Sequence, residues 1–235
     1  MPVPQVCVVP DDAAWLLLTA CPGTPWHGLD LDPGARARLR HRLGELAAAL
    51  HAITGPGFGY PQWGLEPDWP AAFTAMIDAV LDDAARFRVA LPRPATELRA
   101  LLRRSVWALA QVTEPTLVHF DLWPGNILID AAAAEITGIV DGERAFWGDP
   151  LAETASLTLF GTLDTELDLV AGYRAGGGRL DTDSAAQCRI AWYRAYLYMI
   201  MTVETVPRGA AESHPTVTRH LRQALHEVDE LAVER

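Results

Sequence analysis

Lysine is absent from this chain of 235 residues; all 19 of its basic side chains are arginine. That gap excludes two chemistries outright. A Schiff base needs a primary amine on the protein, and a Walker-type phosphate loop needs a lysine ammonium. Positive charge is scarce altogether: 19 basic against 30 acidic side chains leave a formal net charge of −11. Nucleic-acid backbones and anionic lipid surfaces need basic partners, so neither a nucleic-acid nor a membrane partner is expected. The same balance suits a cationic ligand, or simply an acidic, soluble surface.

Cysteine is nearly as rare. Cys7, Cys21 and Cys188 are odd in number and share no close spacing. A disulfide framework or a zinc knuckle is therefore not expected, and a reducing compartment is. Apolar runs are short, the longest lying around Trp15–Leu18 and Tyr196–Val203, too brief or interrupted for a bilayer span. The opening Met-Pro-Val-Pro carries no basic segment followed by a long apolar one, so no secretory signal is expected. These absences together predict a cytoplasmic protein. What is present in quantity is apolar surface: half of the residues are hydrophobic, enough for one large core or two small ones.

Residues 5–9 and 14–20 are short, apolar and bounded by Pro and Asp, which predicts two strands. Cys21-Pro22-Gly23-Thr24-Pro25 breaks them off. Asp32 and Pro33 then open a helix to about Ile53, with Leu39, Leu43, Leu46 and Leu50 at helical period. Residues 54–68 read as a loop. Asp68 caps a predicted helix over 69–90, and another follows over 95–112. Short β-like runs come at 116–118, 127–130 and 136–140. Helical patterns then cover about 150–162, 164–175, 183–206 and 215–233. Strand and helix do not alternate one for one, so a doubly wound sheet is disfavoured and an α+β fold dominated by helices is expected.

The chemistry concentrates in Val118-His119-Phe120-Asp121-Leu122-Trp123-Pro124-Gly125-Asn126-Ile127-Leu128-Ile129. Fifteen residues after Asn126, a second apolar run ends in Ile139-Val140-Asp141. A strand would deliver His119 and Asp121 into a loop that Asn126 closes, and a hairpin would bring Asp141 back beside Asn126. An amide oxygen and a carboxylate would then converge, a hard-oxygen pair suited to Mg²⁺. Asp121 would stand where it accepts a proton. Phosphoryl transfer asks for such a base, plus metal to neutralise the phosphates.

HFDLWPGN matches the kinase catalytic-loop pattern H-x-D-x-x-x-x-N, down to Leu122 and Pro124, and Asp141 follows where kinases carry a metal-binding Asp. The stretch Trp147-Gly148-Asp149-Pro150-Leu151-Ala152-Glu153 resembles the Gly-Asp-Pro-x-x-Asp/Glu signature of the aminoglycoside phosphotransferases, a family of small-molecule kinases. The resemblance covers nearly the whole chain. It implies a protein-kinase-like fold, mainly the helical C-terminal lobe (31–235) with a small β cluster, and a remnant of the N-lobe sheet with the hinge (1–30). It also implies the roles: Asp121 as catalytic base, His119 bracing the catalytic loop 118–130, Asn126 and Asp141 holding Mg²⁺. Thr19, Ala20 and Cys21 would meet the adenine of ATP, or the base of GTP, and Asp149 and Glu153 would be structural. The acceptor would be a hydroxyl on a small molecule, an aminoglycoside-like antibiotic or a related metabolite, with antibiotic resistance as one outcome.

The family's small lobe begins with a glycine-rich hairpin and a lysine-bearing strand. This chain opens at what resembles the strand just before the hinge, and Phe120 and Gly142 depart from the usual residues. A non-catalytic, kinase-like remnant that binds a ligand or partner is thus the rival reading. A metallohydrolase on His119, Asp121 and Asp141 is a third, although the remaining histidines carry no ligand spacing. Gly55-Pro56-Gly57-Phe58-Gly59 follows a helix and reads as a turn, and Gly176-Gly177-Gly178 as a linker. Trp192, Tyr193, Tyr196 and Tyr198 read as core. Glu204 and Asp68 are candidate amine-binding carboxylates, and Trp63 and Trp69 candidate walls of the acceptor site.

Overall fold

The computed structural model describes residues 1–12, 15–210 and 214–232. The first elements in chain order are β1 (Val6–Val8), β2 (Leu17–Leu18), β3 (Thr24–Pro25), α1 (Pro33–His51), α2 (Trp69–Phe87), α3 (Ala95–Arg104) and α4 (Val106–Leu109). There follow β4 (Thr116–Val118), β5 (Ile127–Asp130), β6 (Glu135–Ile139), β7 (Phe146–Gly148), α5 (Thr154–Leu157), α6 (Leu167–Ala175), α7 (Ser184–Glu204) and α8 (His214–Leu231). The expected order of strands, helices, a strand cluster and helices holds, with a third strand, β3, before α1. Ala14 of the predicted second strand and residue 233 of the predicted last helix lie outside the described residues. The chain groups into two compact units, one of residues 1–53, 119–145 and 156–179, the other of 54–118, 146–155 and 180–235.

In the first unit β1 and β2 pair antiparallel, and β3, β5 and β6 form a second antiparallel sheet with β5 in the middle. Helix α1 starts where it does because the Asp32 carboxylate accepts the Ala35 N–H at 2.9 Å and Pro33 fills a position that needs no donor. Its buried stripe of Leu39, Leu43, Leu46 and Leu50 packs against α6. Two glycines set how closely those helices cross. A Cβ on Gly172 would lie 1.8 Å from the His41 carbonyl oxygen, and one on Gly44 2.2 Å from that of Leu169. Arg40 fastens the following segment, donating to Glu166 at 2.7 Å and to the Leu157 carbonyl at 2.9 Å.

The second unit is helical around α7, whose residues are buried on nearly every side, as befits a central helix. The α2 stripe Trp69, Phe73, Met76, Ile77, Val80, Leu81 and Ala84 repeats every three to four residues and faces inward. Asp68 and Asp183 cap α2 and α7, accepting from Ala71 and Ala186 at 2.9 and 2.8 Å. Helix α8 packs along α7, and the Arg194–Glu227 ion pair joins the two. Strands β4 and β7 pair antiparallel over Thr116–Val118 and Phe146–Gly148.

Four elements differ from expectation. The helix predicted over 95–112 breaks at Ser105, whose hydroxyl bonds back to the Leu101 carbonyl at 3.0 Å, a competitor to continued helix. The helix predicted over 150–162 is a 3₁₀ turn at Pro150–Glu153 followed by one helical turn. Thr24–Pro25, read as a breaker, is an edge strand, where a proline is tolerated. Phe146–Gly148 is a strand that the signature residues conceal.

Candidate functional site

The loop after β4 alternates between inside and outside. Phe120 and Leu122 are buried, while Asp121 and Trp123 are half-exposed. Phe120 has a left-handed backbone, φ 62°, a conformation uncommon for a bulky residue and found where a site over-determines it. The Leu122 N–H donates to the Ser156 hydroxyl at 3.0 Å, pinning the loop from below. On the outer side, the Asp121 N–H donates to Nδ1 of the buried His119 at 3.3 Å. The Asn126 amide donates through Nδ2 to both the Asp121 carbonyl, at 3.0 Å, and its carboxylate Oδ2, at 2.9 Å. Both amide hydrogens are thereby spent, and Oδ1 is the atom Asn126 has left to offer a ligand.

The β5–β6 hairpin returns the chain to this loop. The Val140 N–H donates to the Asn126 carbonyl at 3.0 Å, so Asp141 follows directly from the Asn126 backbone. Asp141 is itself left-handed, φ 67°, exposed, and opens a 3₁₀ turn over Gly142–Arg144. That turn carries the Arg144 guanidinium back to 3.8 Å from Asp121 Oδ1. Burial pushes the Asp121 carboxyl above its ordinary value. Arg144, the Asn126 amide and His119 pull it back, and Asp141 adds a smaller upward push.

The structure thus brings His119, Asp121, Asn126 and Asp141 to one loop cluster. An amide oxygen and a carboxylate are the hard-oxygen donors that a small divalent cation takes, with water completing its shell. No group of three or more His, Cys, Asp or Glu side chains able to hold a metal exists among the described residues, so a hydrolase centre of that kind is not assembled on His119, Asp121 and Asp141.

Of the hinge residues, Thr19 gives its N–H to the Gln5 carbonyl at 2.9 Å and takes the Gln5 N–H on its hydroxyl. Cys21 packs on β6, where a Cβ on Gly138 would fall 2.7 Å from its own. Thr137 ties the same segment down through a 2.6 Å bond to the Pro22 carbonyl. Ala20 is exposed between them.

In the second unit Asp149 caps the 3₁₀ turn through the Leu151 N–H at 3.0 Å and accepts from Arg189 at 2.7 Å and Tyr193 at 2.8 Å. Trp69 donates its indole N–H to Tyr193 at 2.8 Å. Glu153 is fully buried. Trp69 is likewise fully buried, so it is core and not an acceptor wall; Trp63 is 57% exposed and rests on Tyr60. Asp68 caps α2 through Oδ1 of an exposed carboxylate, and Glu204 pairs with Arg208 at 3.2 Å. Trp192, Tyr193, Tyr196 and Tyr198 are all buried, as their helical spacing predicts.

Arg144 escaped the sequence reading. An arginine three residues past a candidate metal ligand carries no signal until the left-handed turn at Asp141 is known.

Known proteins share this arrangement of elements. A thermostable mutant of aminoglycoside phosphotransferase APH(4)-Ia, in a ternary complex with AMP-PNP and hygromycin B, superposes with a TM-score of 0.65 at 17% identity, covering 97% of this chain and 77% of that one. A choline/ethanolamine kinase family protein from Mesorhizobium loti gives a TM-score of 0.60 at 19% identity, covering 99% and 74%. In sequence, acyl-CoA dehydrogenase family member 10 of Mus musculus is 21% identical over 182 residues, 74% of this chain. The chain spans 16% of the length of that mouse protein. The fold is that of the protein-kinase-like phosphotransferases. Residues 1–189 match the family model described as the phosphotransferase enzyme family (APH), and the chain belongs to that family.

Proposed function

We propose that the chain moves the γ-phosphoryl group of ATP or GTP to a hydroxyl of a small molecule. The observation that carries this reading is the posture of Asp121, held outward between two buried neighbours and fixed by Asn126 and His119. A carboxylate so fixed accepts the proton of an alcohol as the alcohol oxygen bonds to the γ-phosphorus and the bond to the nucleoside diphosphate breaks. Burial raises that carboxyl's pKa, and the Arg144 guanidinium, 3.8 Å away, opposes the rise. Asn126, through Oδ1, and the Asp141 carboxylate would hold Mg²⁺, which when bound neutralises charge on the phosphates. Thr19, whose N–H is already engaged, would meet the nucleotide base through its carbonyl, beside Ala20 and Cys21. We place residues 1–30 with the nucleotide-binding lobe and 31–235 with the helical lobe.

The hygromycin B complex of the APH(4)-Ia mutant supports an aminoglycoside-like acceptor, and a net charge of −11 suits a cationic one. Replacement of Asp121 by Asn should keep the loop's hydrogen bonds and lower kcat about 10²–10⁴-fold, with the KM for nucleotide little changed. Equal turnover by wild type and Asp121→Asn would remove the base from the mechanism. One observation favours a second reading, a non-catalytic remnant: no lysine is present to grip the phosphates.

A further inference from the structure

The residue after Leu122 has no part in the chemistry described so far, yet it stands in the middle of the loop. Between buried Phe120 and Leu122 on one hand and the buried Asn126 on the other, Asp121 and Trp123 are the half-exposed residues that the loop presents two positions apart. The backbone at Trp123 is extended, φ −94° and ψ 162°, and side chains two apart on extended backbone share a face. The indole lies across Gly125, where a Cβ would sit 2.1 Å from its ring. Its ring meets the exposed imidazole of His27 at 5.1 Å between centroids, tilted 55°. Two backbone bonds hold His27 there: its N–H donates to the Pro124 carbonyl at 3.0 Å, and the N–H of the buried Trp26 to that of Ile127 at 2.8 Å. A second aromatic ring is therefore clamped against the first, from a distant part of the sequence.

Resting on the function proposed above, we propose that Trp123, extended by His27, is the wall that selects the acceptor's carbon skeleton. An alcohol that presents its hydroxyl to Asp121 must run past the indole two residues on. A half-buried indole flanked by an imidazole offers a flat, weakly polar surface, with no carboxylate or guanidinium of its own. It rewards an acceptor whose reacting hydroxyl sits on a ring with a C–H face, and gives much less to a short open-chain alcohol. Trp123 is thus an acceptor-contacting residue, and Gly125 is required because the indole occupies the space of any larger side chain.

Binding without nucleotide separates this assignment from the catalytic one. Saturation-transfer NMR and titration would use three ring alcohols (hygromycin B, glucosamine, myo-inositol) and two open-chain ones (choline, ethanolamine). The proteins would be wild type, Asp121→Asn, Trp123→Phe, Trp123→Ala and His27→Ala. At least one ring alcohol should bind wild type more tightly than either open-chain alcohol, and Asp121→Asn should keep that order of preference. Trp123→Ala should weaken that binding about tenfold, a step of about 1.4 kcal/mol, His27→Ala less, and Trp123→Phe least. In turnover with that alcohol, Trp123→Phe should raise its KM and leave kcat nearly unchanged. A merely structural Trp123 would lower kcat at constant KM, and that result overturns the proposal. So does unchanged affinity in Trp123→Ala, tighter binding of the open-chain alcohols, or failure of every ring alcohol to bind. Failure of Asp121→Asn to slow turnover would instead strike the proposed base and leave the binding comparison intact.

Discussion

Asp121 sits between opposing influences: burial favours its neutral form, and Arg144 favours the charged one. A general base works deprotonated, so kcat/KM should fall as pH drops through the Asp121 pKa, and the acid limb should lie above the ordinary carboxylate range. Arg144→Met removes the largest influence that lowers the pKa. The pKa should then rise, and the acid limb should move to higher pH while the alkaline side stays in place. A kcat/KM profile for the two proteins measures this directly, and a limb that stays put or moves down would mean that the guanidinium does not act on the carboxyl. The partnership of Asp121, Asn126 and Asp141 was legible in the sequence because a loop of eight residues and a tight hairpin leave few ways to arrange them. Arg144 and Trp123 were not. Their roles depend on turn direction and on a ring brought from residue 27, neither of which local spacing encodes. Local spacing is equally silent on the burial of Trp69, whose indole N–H meets Tyr193, 124 positions away.

Helix starts were the most readable elements. Asp32, Asp68 and Asp183 each accept an N–H three residues on, and the first two are read as caps in the sequence, Asp32 with Pro33 beside it. Local competition defeated the reading where a single hydroxyl, that of Ser105, or a proline-led 3₁₀ turn ended a helix that periodicity would have continued. The Gly-Asp-Pro signature shows what such a turn is for. Asp149 anchors it to α7 through a bond with Arg189 in which both side chains are almost fully buried, 4% and 6% exposed. Removing one partner of such a pair strands the other charge. Asp149→Ala should therefore lower unfolding free energy by about 3–5 kcal/mol, measured by denaturant titration. The double change Asp149→Leu with Arg189→Met should cost less than Asp149→Ala alone, because no buried charge is left without its partner. If the double change proves the more damaging, the pair is held by more than mutual compensation.

Over the chain as a whole, two facts pull in different directions. Family membership and fold point to nucleotide use, whereas these 235 residues include no lysine. Arginine is no simple replacement, because its planar fork differs in reach and geometry from an ammonium. The outcome turns on whether Asn126 and Asp141, acting through Mg²⁺, hold the phosphates firmly enough by themselves. A ligand that binds only the folded protein stabilises it by about 2.7 kcal/mol at one hundred times its Kd. For a chain of this size that amounts to a rise in Tm of roughly 5–10 °C. Melting curves with ATP or GTP, each with and without Mg²⁺, should show a shift that requires the metal and disappears in Asp141→Asn. A shift equal in both proteins would place the metal elsewhere. No shift at millimolar nucleotide would favour the non-catalytic remnant, since oxygen ligands for a cation are of little use to phosphates that never arrive.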